Sequence, residues 1–193
     1  MDNYYDIHSE EYAEKTLKAD MRAVQQDFLS YLPPGAFILD CGCGAGRDTR
    51  DFLKAGYNVL PIDGSAEMCR LTTELTRVDA RRMLFEDIEF ENLFDGIWAS
   101  ASLLHVPKEK LGDVLHRLNR ALKKNGVLFM SFKYGHFEGI RDDRYYTDIN
   151  DDDVESLVGE DWEMIKYYIS GDKIGRDELK WINIFMKKKG TAT

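Results

Sequence analysis

Leu39-Asp40-Cys41-Gly42-Cys43-Gly44-Ala45-Gly46-Arg47-Asp48 is the stretch on which the reading of this chain turns. Ahead of it lies a short apolar run, Ala36-Phe37-Ile38-Leu39, bounded by Pro33-Pro34-Gly35. That pattern predicts a buried strand. Behind it, Asp48 to Ala55 has helical spacing and Gly56 supplies the stop. The unit is strand, glycine turn, helix, near the start of an α/β domain. Gly42, Gly44 and Gly46 at alternate positions let backbone approach a ligand where a Cβ would collide. The helix start offers unpaired N–H groups and a partial positive charge.

Spacing narrows the ligand. A dinucleotide fingerprint reads G-x-G-x-x-G. Counted from Gly42 or from Gly44 it fails, because Arg47 and Thr49 stand where the last glycine belongs. What stands here is D-x-G-x-G-x-G, with Asp40 at the strand end. An acid there suits a ligand with a cationic amino group better than a pyrophosphate. The stretch resembles the first motif of class I S-adenosylmethionine-dependent methyltransferases.

Length and composition bound the rest. The chain has 193 residues, which suits one domain, since domains run on the order of 100–200 residues. Hydrophobic content of 44% with 32% charged residues is that of a water-soluble globular chain. No apolar run approaches the roughly 20 residues that span a bilayer. Met1 to Asp6 lacks the basic and apolar regions of a signal peptide. These features predict a cytoplasmic protein with no membrane partner, monomeric or homodimeric. A net charge of −9 argues against nucleic acid, whose binding leans on Lys and Arg. Lys187-Lys188-Lys189 reads as the solvated end of a last strand. Cys41, Cys43 and Cys69 form no C-x-x-C pair and leave one over, so neither a disulfide scaffold nor a metal site is expected.

Taken in order, the chain alternates. Ser9 to Leu17 reads as a short helix with Tyr12 and Thr16 one turn apart on one face. Asp20 suits the N-cap of a helix from Met21 to Tyr31, whose Met21, Val24, Phe28 and Leu32 keep core spacing. The tyrosines Tyr4, Tyr5 and Tyr12 leave two readings for residues 1–32, a loose N-terminal arm or a lid over the ligand cleft; the lid is expected, because the rings need something to pack against and an aromatic face favours a sulfonium. A second strand ends in Asp63, 17 residues past Gly46, with Ser65 capping a helix from Ala66 to Leu75. An acid there accepts both ribose hydroxyls of a nucleoside. Met68, Leu71 and Leu75 form that helix's apolar stripe, and Met68 is near enough to floor an adenine. Arg82 to Phe85 reads as a third strand and Phe94 to Ser100 as a fourth. Pro107 opens a helix with Leu111, Val114, Leu115, Leu118 and Leu122 on one face, up to Asn125-Gly126. Val127 to Phe132 reads as a central strand, and Lys133 to Gly139 as a loop. Asp151-Asp152-Asp153 lacks the calcium-loop spacing and reads as the acidic start of a helix. Trp162–Ile169 and Leu179–Met186 read as two closing strands.

The expected fold is α/β: a Rossmann-like, doubly wound seven-stranded sheet with helices on both faces and a C-terminal antiparallel strand pair, its core spanning 36–189. Further stretches are similar to the tellurite-resistance branch of small-molecule methyltransferases: Glu11 to Thr16, Cys43 to Thr49, Phe94 to Pro107, and Ser131 to Gly135. The resemblance implies S-adenosyl-L-methionine as cofactor and a small-molecule methyl acceptor. It implies cofactor contacts at Asp40, Gly42, Cys43, Gly44, Gly46, Asp63, Gly64, Met68, Phe85, Glu86, Ala99 and Ser100. Leu84 stands where the pattern would place an adenine-binding acid. Acceptor contacts are expected at Tyr12, Thr16, His105, Lys133 and Tyr134, with His105 as general base or packing residue. Lys133, Tyr134, Arg141 and Arg144 share a rim able to hold an anion. Two other functions stay open, a non-catalytic cofactor-binding module and a nicotinamide-dependent oxidoreductase.

Overall fold

A computed structural model describes residues 2–176 and 178–190. Met1 and Thr191–Thr193, the ends of the expected single domain, lie outside the described residues. The chain begins with three helices, α1 (Asp2–Ile7), α2 (Ser9–Thr16) and α3 (Arg22–Leu29). The first parallel half follows as β1 (Phe37–Cys41), α4 (Arg47–Lys54), β2 (Asn58–Asp63), α5 (Ala66–Thr76) and β3 (Arg81–Arg82). The second half is β4 (Phe94–Ala99), α6 (Lys108–Ala121) and β5 (Leu122–Lys133). A hairpin of β6 (Glu138–Arg141) and β7 (Arg144–Thr147), then α7 (Asp151–Val158), lead to β8 (Trp162–Gly171) and β9 (Lys180–Lys188).

The sheet order is β3-β2-β1-β4-β5-β9-β8. The first five strands run parallel; β9 enters antiparallel beside β5, and β8 closes the edge. Strand order reverses between β1 and β4, so their carboxyl ends diverge and leave a crevice, the ligand position of open α/β sheets. Alternation sorts side chains to the two faces. Leu39, Ile97, Leu128 and Met130 join one core with α6, while Ile38, Trp98 and Phe129 join the other with Phe28 and Phe52.

Several expectations are corrected. The third strand is two residues long, not four, because after Met83 N–H pairs with the Asp63 carbonyl the chain folds into a 3-10 turn at Phe85–Asp87. That turn brings Phe85 to the main core. Leu75 is exposed, and α5 buries Met68, Cys69 and Thr72 instead. Asp20 accepts the Arg22 N–H, but α3 starts later than expected and its cap position is Met21. Helix α6 ends at Ala121, since Leu122 leaves it to pair with Phe94 in the sheet. The loop after β5 holds an unforeseen hairpin, turned by Asp142 and Asp143 at φ of 50° and 59°, a left-handed pair that asparagine, aspartate and glycine tolerate. Among the described residues no helix is long and apolar enough to cross a membrane.

Candidate active site

The crevice holds two adjoining cavities. The larger, about 600 Å³, runs from Asp63, Gly64 and Met68 past Met83, Leu84, Phe85 and Glu86 to Ser100, His105 and Val106. The smaller, about 170 Å³, is lined by Thr16, Cys43, Leu104, Lys133, Tyr146 and Trp181 among others. Tyr5, Tyr12, Gly42, Gly44, Ser100, Ala101, His105 and Arg144 line both, so these residues mark where the cavities meet.

The glycine turn divides its labour. Gly42, at φ +84°, would place a Cβ 2.4 Å from the Ser102 Cβ, so it admits the loop after β4. Gly46 would meet the Thr72 backbone at 3.1 Å, so it seats α5 and lines neither cavity. Gly44 has only the Tyr12 ring, at 3.8 Å, within reach and is the glycine open to the crevice.

Asp63 stands at the end of β2 and shapes this turn. One carboxylate oxygen accepts the Gly44 N–H and the other the Ser65 N–H, each at 2.9 Å. A carboxylate oxygen has two acceptor directions, so each keeps one for a ligand hydroxyl. Burial pushes the Asp63 carboxyl up, and the two N–H bonds oppose that.

Asp40 does not reach either cavity. It is 2% exposed and takes the Thr49 hydroxyl at 2.5 Å. Burial, then the Asp48 charge, push its carboxyl up. The expected contact between Asp40 and an amino group is therefore replaced by a buried bond that pins α4 to β1. Ala99 is fully buried within β4, and its successor Ser100 is the residue that reaches the cavities. Tyr134 also faces away, its hydroxyl donating to Asp151 at 2.5 Å. The other expected cofactor and acceptor positions line one cavity or both: Gly42, Cys43, Gly44, Asp63, Gly64, Met68, Phe85, Glu86, Ser100, Tyr12, Thr16, His105 and Lys133.

His105 is held at both nitrogens. Nδ1 lies 2.7 Å from the Tyr145 carbonyl, which only accepts, so Nδ1 carries the proton. Nε2 then accepts the Tyr5 hydroxyl at 2.7 Å. Burial, with the Arg144 and Lys133 charges, pulls the imidazole down to about 4. A base this weak is poorly matched to proton removal near neutrality. The geometry favours His105 as the group that orients Tyr5, whose phenol burial keeps protonated.

The sign of the pH response follows. Unfolded His105 takes a proton near its ordinary value of 6.5, while folded His105 resists it until about 4. Acid therefore favours unfolding in that window. His105→Gln stays uncharged, so wild-type stability should fall relative to the variant as pH drops from about 6.5 to about 4. Denaturant midpoints at several pH values measure this, and parallel profiles would show that His105 is freely protonated in the folded chain.

The N-terminal arm crosses the crevice. Asp6 accepts the Ser65 hydroxyl at 2.5 Å and the Glu67 N–H at 3.3 Å, fixing α1 to the start of α5. One residue earlier, Tyr5 reaches His105 beyond β4. Tyr12 and Ala13 of α2 pack with Ala45 and Met68. Sequence reasoning noted the tyrosine cluster but missed Asp6. It also missed Tyr146 and the β8–β9 loop, where Asp172 takes Arg176 Nη2 at 2.7 Å and Trp181 Nε1 at 2.9 Å beside the smaller cavity. The Asp142-Asp143 turn was the one signal for Tyr146, since it marks β7 as a strand.

Sheet order and crevice are those of a Rossmann-like, doubly wound α/β fold. Residues 38–126 match the family described as "Methyltransferase domain". The 2-methyl-6-phytyl-1,4-hydroquinone methyltransferase of a Synechocystis species is 29% identical over 140 residues, 65% of this chain and 43% of that protein. The match thus spans less than half of that relative. The same fold occurs in the 1,6-didemethyltoxoflavin-N1-methyltransferase of Burkholderia thailandensis, crystallised with bound 1,6-didemethyltoxoflavin and S-adenosylhomocysteine. That structure has a TM-score of 0.77 at 20% identity, covering 95% of this chain and 84% of that one. TehB from Haemophilus influenzae aligns with a TM-score of 0.74 at 14% identity, covering 94% and 67%.

Proposed function

We propose that this chain is an S-adenosyl-L-methionine-dependent methyltransferase acting on a small molecule. The observation that carries this reading is Asp63, whose two oxygens each spend one acceptor direction on the turn and keep the other at the mouth of an apolar cleft. Met68, Phe85 and Val106 give that cleft the flat apolar walls a purine needs, and Gly44 gives the backbone access.

When bound, the cofactor supplies an electrophilic methyl group. The chain's own work is positioning and drying. Asp63 would hold the ribose hydroxyls. Glu86 and the 3-10 turn at Phe85 would border the base, in place of the acid the resemblance expects at Leu84. Tyr5 and Tyr12 close the junction of the cavities against water, and their rings favour a cation. His105 holds the Tyr5 hydroxyl toward that junction. The smaller cavity receives the acceptor, and Thr16 and Lys133 line it. We take residues 1–32 as a lid on a single domain, monomeric or homodimeric. Three buried, unpaired thiols support a reducing, cytoplasmic setting.

Calorimetric titration should show S-adenosylhomocysteine binding and no NAD binding. Amide exchange across residues 4–17 should slow on adding S-adenosylhomocysteine, because a lid orders on binding. NAD binding in its place would support an oxidoreductase. Cofactor binding without labelled-methyl transfer to any member of a metabolite panel would support a non-catalytic module. Unchanged exchange with ligand bound would remove the lid.

A further inference from the structure

Two cations meet in the smaller cavity without a counter-ion. Lys133 is buried at the end of β5, its Nζ 3.7 Å from the centre of the Tyr146 ring. Arg144 opens β7, its guanidinium 5.2 Å from the same centre. Among the described residues neither has a carboxylate within ion-pair distance. Of the nearby acids, Asp172 lies 2.7 Å from Arg176, and one oxygen of Asp148 lies 3.4 Å from Arg141 while its other oxygen is buried without a hydrogen-bond partner. Arg144 Nε is buried and lacks a hydrogen-bond partner.

Buried donors are almost always paired, and each exception calls for a reason. Two like charges in a recess of low dielectric repel more strongly than in water. The Tyr146 face compensates them only in part. Lys133 registers the imbalance: burial and the charges of Arg141, Arg176 and Arg144 pull its ammonium down to about 8, with Asp148 opposing. This cationic recess stands out in a chain of net charge −9.

Size and walls narrow the ligand. The cavity measures about 170 Å³, and an engineered cavity of roughly 150 Å³ accommodates benzene. Tyr12, Leu104 and Trp181 add apolar wall. A guanidinium edge matches a carboxylate in shape as well as charge.

We propose that the methyl acceptor is a ring-sized organic carboxylate, its anion held between Lys133 and Arg144 and its accepting atom turned toward His105, where the cavities meet. This deepens the methyltransferase reading and rests on it. The alternative occupant of the two cations is the carboxylate of the cofactor itself.

The test titrates protein saturated with S-adenosylhomocysteine with benzoate, and with benzamide as the uncharged isostere. Benzoate should bind at least about tenfold tighter, the difference one charge-assisted pair provides. Lys133→Met should remove that preference while S-adenosylhomocysteine affinity stays unchanged. Wild-type benzoate affinity should fall as pH rises through about 8, because Lys133 loses its proton there. Lys133→Arg keeps its charge, so it should retain benzoate binding without that fall, which also guards against misfolding of the Met variant. Equal binding of benzoate and benzamide would overturn the proposal. So would wild-type benzoate affinity in Lys133→Met, or competition between benzoate and S-adenosylhomocysteine. Failure of S-adenosylhomocysteine to bind would instead sink the cofactor reading, and the benzoate comparison on the free protein would still decide the anion site.

Discussion

Asp63→Ala should weaken S-adenosylhomocysteine binding by about 10²- to 10⁴-fold. The size follows from two ribose hydroxyl bonds to a carboxylate, each worth about 1.5–3 kcal/mol, with about 1.4 kcal/mol per tenfold. A second loss adds to it. The Gly44 and Ser65 N–H groups both end on Asp63, so the variant frees the glycine turn and the start of α5 together. Asp63→Asn separates the two contributions. Its single carbonyl can keep one N–H bond, while its amide NH₂ faces the other N–H donor to donor. Asparagine should therefore bind the ligand nearly as poorly as alanine, although its size is native. Burial raises the Asp63 carboxyl against its backbone N–H bonds, so alanine removes an unfavourably buried charge and two hydrogen bonds together, and thermal unfolding reports the balance. A folded Asp63→Ala protein with wild-type affinity would remove Asp63 from the cofactor site.

Asp63 was legible in the sequence for a reason the neighbouring acids lack. It follows a strand, precedes a capping serine, and stands at a fixed remove from the glycine turn. The β1–turn–α4 unit was legible for the same kind of reason, since Pro33-Pro34-Gly35, the apolar run and Gly56 are all local signals. The roles within the turn were not. Gly42 answers to Ser102 and Gly46 to Thr72, partners brought up by the fold, so three glycines of like appearance have three duties. Asp40 shows the same limit. An acid at a strand end faces the crevice or the core according to register, and Thr49 on α4 decides for the core. The third strand failed because Arg82-Met83-Leu84-Phe85 is apolar enough to extend, yet Phe85 gains more by turning into the core. Lys133 and Arg144 read as charges on a rim able to hold an anion, with plain solvated charge the other reading for Arg144. Their lack of counter-ions is a tertiary fact, visible only once Asp148 and Asp172 are seen facing other arginines.

Asp48→Ala should destabilise the fold by about 3–5 kcal/mol, the usual result of breaking a buried ion pair from one side. Asp48 is 6% exposed. One of its oxygens takes Gln25 Nε2 at 2.7 Å and Arg47 Nε at 2.9 Å; the other takes Trp98 Nε1 at 2.9 Å and Arg47 Nη2 at 2.7 Å. Burial alone would push this carboxyl up, but the Arg47 guanidinium and the other donors hold it below the usual range. Alanine would orphan three buried donor groups on α3, α4 and β4. Trp98 is fully buried, stacked on Phe129 at 4.1 Å, so its indole N–H has no route to water. Against a total stability of about 5–15 kcal/mol, such a loss is a large share. Gln25 and Trp98 bond to different oxygens, so Asp48→Asn keeps an acceptor for only one of them, sets its NH₂ against the other donor, and should recover only part of the loss. The effect should also travel to the crevice. Arg47 Nη1 donates to the Thr16 carbonyl at 3.2 Å, which ties α2, and with it Tyr12, to the helix behind the glycine turn. Freed from Asp48, Arg47 no longer holds that tie in place. Amide exchange in α2 should then speed up more than exchange in β4 or β5, even under conditions where the variant remains folded. An unfolding free energy within about 1 kcal/mol of wild type would mean that water reaches these donors, and that the network is a consequence of the packing around Trp98 rather than a cause of it.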